Sequence, residues 1–374
     1  MDDTRQVAET MHYDERDTLF ARLRLVAGTG DYDEYYQRHP ELKERDDSLR
    51  DRGGLMRLVA GGGLSIEEIH ALGLRPDEAS NLLDHLSDDA LVRALMDDST
   101  ATISDYVRAD LRRRPARRRI EMPPDRMGAI IRDVARVYGA SLVGTTEMQD
   151  SDYYTHRRAG EPVDLRFKYA IVFAIEMNKD LVNHAPSRET FLATCNGYVD
   201  AARIGARLSG FIKSLGYETS LNSMARYDAP LVPLAEKAGL GQRGRCHFIV
   251  TKEFGNRVRL GAVLTDLQMD LDEPADFGLI EFCALCGECA VHCPSRALSG
   301  APRIVNDHPV WQFDEIKCFH MWTEYATDCG ICIASCPFSQ GIAPDKVAAM
   351  RNQPDLMWDI LREDRERQRG MKTS

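Results

Sequence analysis

The stretch CALCGECAVHCPSRAL, residues 283 to 298, contains four cysteines, and the last of them, Cys293, is followed directly by Pro294. The spacing is C-x2-C-x2-C-x3-C-P, which is typical of the cysteine runs that ligate 4Fe-4S clusters in two-cluster ferredoxins. Structural zinc sites more often use two separated C-x2-C pairs. The spacing therefore favours an iron–sulfur cluster and raises the question of a second one.

A second cysteine run follows downstream. It consists of Cys329, Cys332 and Cys336 before Pro337, and a gap of ten residues separates Cys318 from the run. In two-cluster ferredoxins the fourth cysteine of each run ligates the other cluster. The alternative is one cubane together with a three-iron or zinc site. The crossover rule predicts two 4Fe-4S clusters with these ligand sets: Cys283, Cys286, Cys289 and Cys336; Cys318, Cys329, Cys332 and Cys293.

Composition limits the other functions. The formal net charge of −11 repels phosphate backbones and argues against nucleic-acid binding. The first residues, MDDTRQVAETMHYDERD, show neither a secretion signal nor a twin-arginine pair, and no stretch approaches the ~20 apolar residues that span a bilayer. We therefore expect a cytoplasmic protein without membrane contact, in which clustered thiols indicate metal. The isolated Cys195 and Cys246 are interpreted as small buried hydrophobes.

Periodicity predicts the elements between the N-terminus and the cysteines. Asp125 caps a predicted helix that ends at Gly139, KYAIVFAI (168–175) predicts a buried strand, and residues 198–215 predict a long helix with one apolar face. HFIVT and GAVLTDL predict two further strands. Helices alternating with strands indicate an α/β or α+β core around a central sheet.

Four regions follow from these patterns. We predict a mostly helical N-terminal region with an arginine-rich linker, an α/β (α+β) core, a ferredoxin-like domain for two 4Fe-4S clusters, and a helical tail. Within the linker, RADLRRRPARRRIEMPPDR is interpreted as a solvated connector, with a tRNA- or partner-binding patch as the alternative. The predicted regions are 1–120, 121–275, 276–345 and 346–374.

The glycines of GLGQRG form a G-x-G-x-x-G pattern at Gly239, Gly241 and Gly244. VPLAEKA before them reads as helix, whereas the dinucleotide-binding fingerprint requires a strand at this place, so we discount nicotinamide binding. Glycines allow a backbone to approach a large ligand closely. Together with Arg245 they predict one wall of a cofactor site.

Several segments together resemble the cobalamin (corrinoid)-dependent reductive dehalogenases. They are RDTLFARLRLVAGTGDYDEYYQRHPELKERDDSLR, GYVDAARIGARLSGFIKSLGY, AEKAGLGQRGRCHFIVTKEFGNRVRLGAVLTDL and the two cysteine runs, in that order. The resemblance implies a nitroreductase-like core that holds base-off cobalamin and a ferredoxin domain that delivers electrons to it. The absent twin-arginine signal implies a cytoplasmic, non-respiratory member, and the absence of a fused flavin reductase implies an external electron donor such as ferredoxin or flavodoxin.

The same resemblance implies catalytic residues for removing halide from an organohalide, aromatic ones included. In this family a tyrosine protonates carbon, and the matching position is Tyr198 in CNGY. A phenol, with a pKa of about 10, needs a cation beside it to act as an acid. The candidates are Arg257 and Arg259, which alternate by two and so share one face of a strand, and Asn222 is predicted to orient the substrate.

Two alternatives remain open at this point. Epoxyqueuosine reductase, another cobalamin enzyme with two 4Fe-4S clusters, has a similar AGLG segment and uses an aspartate as proton donor, a role that Asp228 in YDAP fits. Against it, the chain extends only about forty residues beyond Cys336, too few for the tRNA-gripping helical tail of some members. The other alternative is an electron-transfer or corrinoid-handling protein without catalysis of its own.

Overall fold

The computed structural model describes residues 13–53, 89–305 and 308–371. Two short 3-10 helices cover Glu15–Asp17 and Asp150–Asp152. The helices are α1 Leu19–Arg22, α2 Gly30–Arg38, α3 Pro40–Asp51, α4 Asp89–Arg112, α5 Pro124–Val137, α6 Lys179–Asn183, α7 Arg188–Ser214, α8 Leu231–Lys237, α9 Leu279–Cys286, α10 Glu288–Val291, α11 Glu315–Tyr325, α12 Ile331–Ala334, α13 Pro337–Gln340, α14 Pro344–Met350 and α15 Pro354–Met371. The strands are β1 Leu142–Glu147, β2 Tyr169–Glu176, β3 Thr219–Asn222, β4 Gln242–Arg243, β5 Ile249–Val250, β6 Val258–Thr265, β7 Arg303–Val305 and β8 His308–Val310.

The core is built on a four-stranded sheet in the order β1-β2-β6-β3. All its neighbouring strands are antiparallel, so the core is α+β. Residues 170 to 175 of β2 are buried without alternation, because side chains on both faces of the sheet are covered. Ile171 and Phe173 pack under α5 and α7 on one face, and Ala170 and Val172 pack under α8 on the other. The predicted buried strand is confirmed.

Helix α7 is longer than the sequence pattern predicts. The predicted start at residue 198 is wrong, because the helix begins at Arg188 and runs to Ser214. Asn196 and Gly197 lie inside it, where glycine has low helix propensity. The buried face of α7 continues through this point with Phe191, Ala193 and Thr194, so tertiary packing outweighs local propensity. Tyr198 therefore lies within the helix and not at its start.

The cluster domain consists of short helices wound around the two cysteine runs. Gly287, between Cys286 and Cys289, has φ +69°, and Gly330, between Cys329 and Cys332, has φ +63°. This left-handed conformation costs little only for glycine. Each glycine precedes a one-turn helix, α10 after Gly287 and α12 after Gly330, and Gly287 also ends α9.

The N-terminal segment, residues 13–53, fastens the core to the cluster domain. Glu15 accepts hydrogen bonds from Arg158 of the core. Arg22 is buried between Asp46 and Glu315 of α11, and Phe20 stacks edge-on against Phe319 of α11. The described N-terminal residues are helical as predicted, and the prediction for residues 54–88 falls outside the described residues.

The arginine-rich segment connects α4 to α5 and follows the end of α7. The backbone N–H groups of Ala116 and Ile120 donate to the carbonyls of Lys213 and Leu215. Arg119 stacks on the ring of Tyr217. Within the described ranges, we find no helix with the length and apolar character needed to cross a membrane.

Candidate active site

A cavity of about 1490 Å³ opens where the N-terminal segment, the core and the cluster domain meet. Pockets for small ligands usually measure ~300–1000 Å³, so this one has room for a large cofactor together with a substrate. Helix α7 contributes Thr194, Cys195 and Tyr198 to its wall, and strand β6 contributes Arg259. The size and the mixed lining fit a corrinoid with a reacting molecule beside it.

One set of cluster thiols lies away from this cavity. Burial raises the pKa of Cys336, and the next contributions come from Cys246 and from the first-run thiols Cys286, Cys283 and Cys289. Cys336 thus has the first three cysteines of the other run as neighbours. None of these four cluster cysteines lines the cavity among the described residues.

The second set lies on the cavity wall. Cys293, Cys318, Cys329 and Cys332 all line the cavity. The pKa of Cys329 is raised to about 12, mainly by burial and to a smaller extent by the nearby thiols of Cys318 and Cys293. The first-run cysteine Cys293 therefore lies with the second run, which is the arrangement that the crossover rule predicts.

The donor chemistry fits iron–sulfur clusters. Burial raises the pKa of the Cys286 thiol to about 12, and a buried thiolate needs a bound cation, which iron supplies. In the described ranges 13–53, 89–305 and 308–371, no three His, Cys, Asp or Glu side chains converge closely enough to hold one metal ion. A cubane spreads its ligands more widely than a single zinc ion does.

Tyr198 and Arg259 meet at the cavity wall. The guanidinium carbon Cζ of Arg259 lies 4.9 Å from the centre of the Tyr198 ring, within the range of a cation–π contact. A Cβ added to the neighbouring Gly197 would lie 2.5 Å from Cγ of Arg259. Glycine at this position therefore lets the arginine side chain pass across the helix and reach the tyrosine. The structure brings the predicted pair together, and its catalytic role stays a prediction.

The Arg259 guanidinium is held from two sides and keeps one donor free. Its Nη2 donates to Oγ1 of Thr194 at 2.7 Å and lies 3.8 Å from Oδ2 of Asp328. Its buried Nε has no hydrogen-bond partner within the part of the chain that the structure describes. A buried, unpaired donor is costly, and the guanidinium group to which it belongs is part of the cavity lining.

Sequence reasoning missed Thr194 and Asp328. Thr194 lies one helical turn before Tyr198, and residues four apart share a helix face, but the predicted helix started too late to reveal it. Asp328 directly precedes the cluster ligand Cys329, and burial raises the pKa of its carboxyl group while Arg259 lowers it. The position of Asp328 beside Arg259 arises only when the cluster domain docks on the core.

Arg257 lies elsewhere. Strand β6 begins at Val258, so Arg257 precedes the strand and does not share its alternation with Arg259. Its buried side chain donates to Oε1 of Glu176 at 2.7 Å, to the carbonyl of Met177, and through Nε to the carbonyl of Ser339 at 3.2 Å. Among the described residues that line the cavity Arg257 is not found. It ties the core to the turn after the second cysteine run.

Replacing Arg257 with Met should therefore destabilise the protein. The carbonyls of Met177 and Ser339 would lose a charged donor, and we expect a loss of about 2–4 kcal/mol. The measurement is the thermal unfolding midpoint of the reconstituted protein, with the exposed Arg108→Met as matched control. An unchanged midpoint for Arg257→Met would contradict the tie between core and cluster domain.

Asn222 is also absent from the described cavity lining. Its Oδ1 accepts hydrogen bonds from the backbone N–H groups of Asp228 at 2.6 Å and Ala229 at 3.2 Å, so it shapes the turn after β3. The fully buried Asp228 is likewise engaged, because Arg157 donates to its Oδ1 at 2.9 Å and Ser220 donates to its Oδ2. Neither side chain is placed to orient or protonate a substrate in the cavity.

Gly239, Gly241 and Gly244, which the sequence predicted to form a wall of a cofactor site, pack against protein atoms. A Cβ on Gly241 would collide with the carbonyl of Val250, and one on Gly244 would lie 2.8 Å from the side chain of Val250 and 3.6 Å from Sγ of Cys283. Gly239, with φ +72°, faces a neighbouring backbone carbonyl in the same way. None of the three appears in the described lining of the cavity, so close packing of the chain on itself accounts for them.

Arg245 joins this segment to the cluster domain. Its Nη2 donates to the carbonyl of Cys283 at 2.6 Å, its Nη1 donates to the carbonyl of Ser299 at 3.0 Å, and its guanidinium stacks on Trp311 at 4.8 Å. These contacts hold the first cysteine run in place. These contacts explain the position of Arg245 without a cofactor, and its expected role in a cofactor wall stays a prediction.

Comparison with known families identifies the C-terminal domain. Residues 282–340 match the 4Fe-4S dicluster domain, and this range contains all eight predicted ligands, from Cys283 to Cys336. The segment is therefore an iron–sulfur domain, as its spacing predicts.

Curated relatives extend the similarity into the core. The tetrachloroethene reductive dehalogenase of Sulfurospirillum multivorans is 36% identical over 181 residues, 46% of this chain and 35% of the relative. The Dehalobacter restrictus enzyme of the same name is 31% identical over 215 residues, 52% of this chain and 37% of the relative. Epoxyqueuosine reductase of Lactococcus garvieae is 33% identical over 132 residues, 33% of this chain and 36% of the relative. The matches thus span little more than a third of these relatives.

Solved structures share the fold. The catabolic reductive dehalogenase NpRdhA, in complex with 3-bromo-4-hydroxybenzoic acid, matches with a TM-score of 0.64 at 23% identity, covering 72% of this chain and 41% of that chain. A second reductive dehalogenase structure, which suggests a mechanism for B12-dependent dehalogenation, matches with a TM-score of 0.63 at 24% identity over 71% of this chain and 40% of that chain. The predicted core with its C-terminal dicluster domain is confirmed. The chain is thus similar in sequence to reductive dehalogenases over about a third of their length, and it is also similar to epoxyqueuosine reductase.

Proposed function

We propose that this protein is a cobalamin- and iron–sulfur-dependent reductive dehalogenase that removes halide from an organohalide. The observation that carries the proposal is the cavity wall itself, where Tyr198 and Arg259 lie together and the second thiol set also appears. A proton donor and an electron source thus face the same space. The net reaction consumes two electrons and one proton, and it converts a carbon–halogen bond to carbon–hydrogen and halide.

The cofactor that the resemblance implies is base-off cobalamin, which, when bound in the cavity, would supply the reducing electrons for cleavage of the carbon–halogen bond. The cavity is large enough for this cofactor, and its wall offers both apolar and polar side chains. The role of the chain is to enclose the reacting molecule, to keep bulk water away from it, and to supply the proton at a defined atom.

Tyr198 is the proposed proton donor through its Oη. An isolated phenol has a pKa of about 10, so it is a weak acid at neutral pH. Arg259, with Cζ 4.9 Å from the ring centre, stabilises the phenolate that remains after transfer. The guanidinium group of Arg259, which lines the cavity, would provide a donor for the departing halide or for a substrate atom. Tyrosine and arginine therefore act as one unit.

Two 4Fe-4S clusters are the proposed electron path. The ligand set of Cys293, Cys318, Cys329 and Cys332 borders the cavity and would hold the cluster that delivers electrons to the cofactor. The set of Cys283, Cys286, Cys289 and Cys336 lies behind it and would receive electrons from an external donor such as ferredoxin or flavodoxin. We place the activity in the cytoplasm, where such a donor is available and thiols stay reduced.

The test begins with anaerobic purification after expression with cobalamin, followed by cluster reconstitution. Iron content, the electron paramagnetic resonance spectrum and halide release from a panel of organohalides are then measured. About eight irons per chain, a base-off Co(II) signal and halide release support the proposal. Eight irons without bound corrinoid would instead favour an electron-transfer protein.

A further inference from the structure

Cys318 differs from the other predicted cluster ligands in how its position is fixed. Within each cysteine run two or three residues separate neighbouring cysteines, whereas ten residues separate Cys318 from Cys329. Cys318 lies on its own helix, α11, and it lines the cavity together with Cys329. A connection of ten residues has many conformations, so this spacing alone does not fix the ligand. Contacts made by α11 must hold Cys318 where the cluster beside the cavity needs it.

The N-terminal segment supplies charged contacts at the start of α11. Nη2 of Arg22 lies 2.6 Å from Oε1 of Glu315, the first residue of the helix. Arg22 is almost fully buried, and its Nε lies 2.7 Å from the buried carboxylate of Asp46. Arg45 donates to Oδ1 of the N-cap residue Asp314 at 2.7 Å. Exposed ion pairs stabilise little, but removing one partner of a buried pair is costly, so Arg22 is the main charged contact.

Aromatic and aliphatic side chains of the same segment cover α11 next to Cys318. The ring of Phe20 lies edge-on to Phe319, with centroids 5.8 Å apart, and its centroid lies 6.0 Å from that of Trp322. Phe319 directly follows Cys318, and Trp322 lies four residues after it on the same face of the helix. Phe319 is buried in a cluster with three leucines of the N-terminal segment, Leu19, Leu23 and Leu49. The packing therefore reaches the residues beside the ligand.

The same stretch of the N-terminal segment forms part of the cavity wall. Phe20, Ala21, Arg24 and Leu25 line the cavity, and so does Trp322 of α11. Phe20 therefore contacts α11 and also faces the cavity. A displacement of this stretch would open the cavity and at the same time remove the support of α11.

We propose that the N-terminal segment holds Cys318 in its ligating position through α11, so that closure of the cavity and integrity of the cluster beside it depend on the same contacts. Phe20 and Arg22 are positioning residues in this arrangement, because they act on the cluster through the helix. The inference rests on the proposed function for the assignment of Cys318 to that cluster. It adds a coupling between enclosure of the substrate and electron delivery.

Loss of the Cys318 thiolate would leave one iron of the cubane without a protein ligand. Release of that iron as Fe²⁺ converts the 4Fe-4S cluster to a 3Fe-4S cluster. The departing ion carries away its own two charges, so no electron is gained or lost in this step. Mössbauer spectroscopy distinguishes the two cluster types, and iron analysis counts the loss. Neither measurement requires corrinoid or an organohalide.

The experiment compares Phe20→Ala and Arg22→Met with the wild-type full chain after cluster reconstitution. We expect each variant to lose about one of eight irons, and we expect its Mössbauer spectrum to match that of Cys318→Ala. Adding Phe20→Ala to Cys318→Ala should cause no further loss, because two changes that act through one ligand are not additive. Phe20→Leu, which keeps an apolar contact with α11, should retain its iron.

Lys213→Met is the matched control for a general loss of stability. Nζ of Lys213 lies 2.9 Å from Oδ1 of Asp110 in a buried pair, and Lys213 is not among the described residues that line the cavity. We expect this variant to unfold at a lower temperature and to keep all its iron. The same iron loss in Lys213→Met would overturn the inference, because the effect would then be general.

Two further results would overturn it. One is full retention of iron by Phe20→Ala and Arg22→Met, and the other is a spectrum that matches Cys336→Ala in place of Cys318→Ala. If Arg22→Met yields no folded protein, Phe20→Ala decides between these outcomes. A protein that loses iron selectively in Phe20→Ala, but whose wild-type form releases no halide from any organohalide, would refute the dehalogenase proposal and leave the support of Cys318 standing.

Discussion

Replacing Tyr198 with Phe should lower halide release about 100-fold or more while iron and corrinoid contents stay at the wild-type level. The substitution removes only the hydroxyl oxygen, and a positioned proton donor typically contributes 10²–10⁴-fold to a rate. The ring remains in place under Arg259, so the cation–π contact at 4.9 Å and the packing of α7 are preserved. The measurement is the rate of halide release by the reconstituted protein under titanium reduction.

The matched control is Tyr138→Phe. Tyr138 lies at the end of α5, where the guanidinium of Arg207 stacks on its ring, and it is outside the described cavity lining. We expect this variant to keep wild-type activity. Unchanged turnover in Tyr198→Phe would remove Tyr198 as the proton donor, and loss of corrinoid from the variant would indicate a binding role in its place.

Replacing Cys293 or Cys336 with Ala should in each case disturb the cluster held by the other cysteine run, and not the cluster of the run to which the residue belongs in sequence. Cys336 belongs to the second run but lies among Cys283, Cys286 and Cys289. Cys336→Ala should therefore disturb the cluster held by the first run, and Cys293→Ala should disturb the cluster beside the cavity. Each variant should lose up to about four of eight irons, and electron delivery to the cofactor should fall by orders of magnitude.

The two variants separate because only one cluster borders the cavity. In Cys293→Ala we expect the magnetic interaction between a reduced cluster and Co(II) to disappear, whereas Cys336→Ala should keep it. Cys195→Ala is the matched control, since burial raises the pKa of the Cys195 thiol to about 12 and it is not a predicted ligand; its iron content should not change. The opposite assignment of spectra to Cys293→Ala and Cys336→Ala would show that each run holds its own cluster.

The local pattern was sufficient for the cluster domain and for several core elements. Fixed spacing decides which thiols can wrap a cubane, and Cys329 and Cys336 have among their neighbours the thiols that the crossover rule groups with them; the two ligand sets stay a prediction. The buried run 168–175 and the apolar periodicity after Asp125 correspond to β2 and α5. The helix before Gly239 is α8, which agrees with discounting a dinucleotide site. Each of these features depends on neighbours in sequence.

The sequence was a weaker guide to which side chains line the cavity. The physical reason differs between the arginines and the glycines. Arg257 and Arg259 look equivalent in sequence, but β6 starts between them at Val258, so only Arg259 reaches the cavity. The glycines at 239, 241 and 244 resemble a ligand loop, yet packing against the chain itself accounts for them. A pattern records which residue is small or charged, and not what occupies the space beside it.

By itself the sequence determined the iron–sulfur chemistry and the character of the core, because cysteine spacing and hydrophobic periodicity act over a few residues. The tertiary structure decided which side chains share the cavity. Tyr198 and Arg259 meet through Gly197, Asp328 reaches Arg259 from the cluster domain, and Arg24 arrives with the N-terminal segment. These contacts join residues far apart in the chain, and they exist only once the three parts pack together and exclude water.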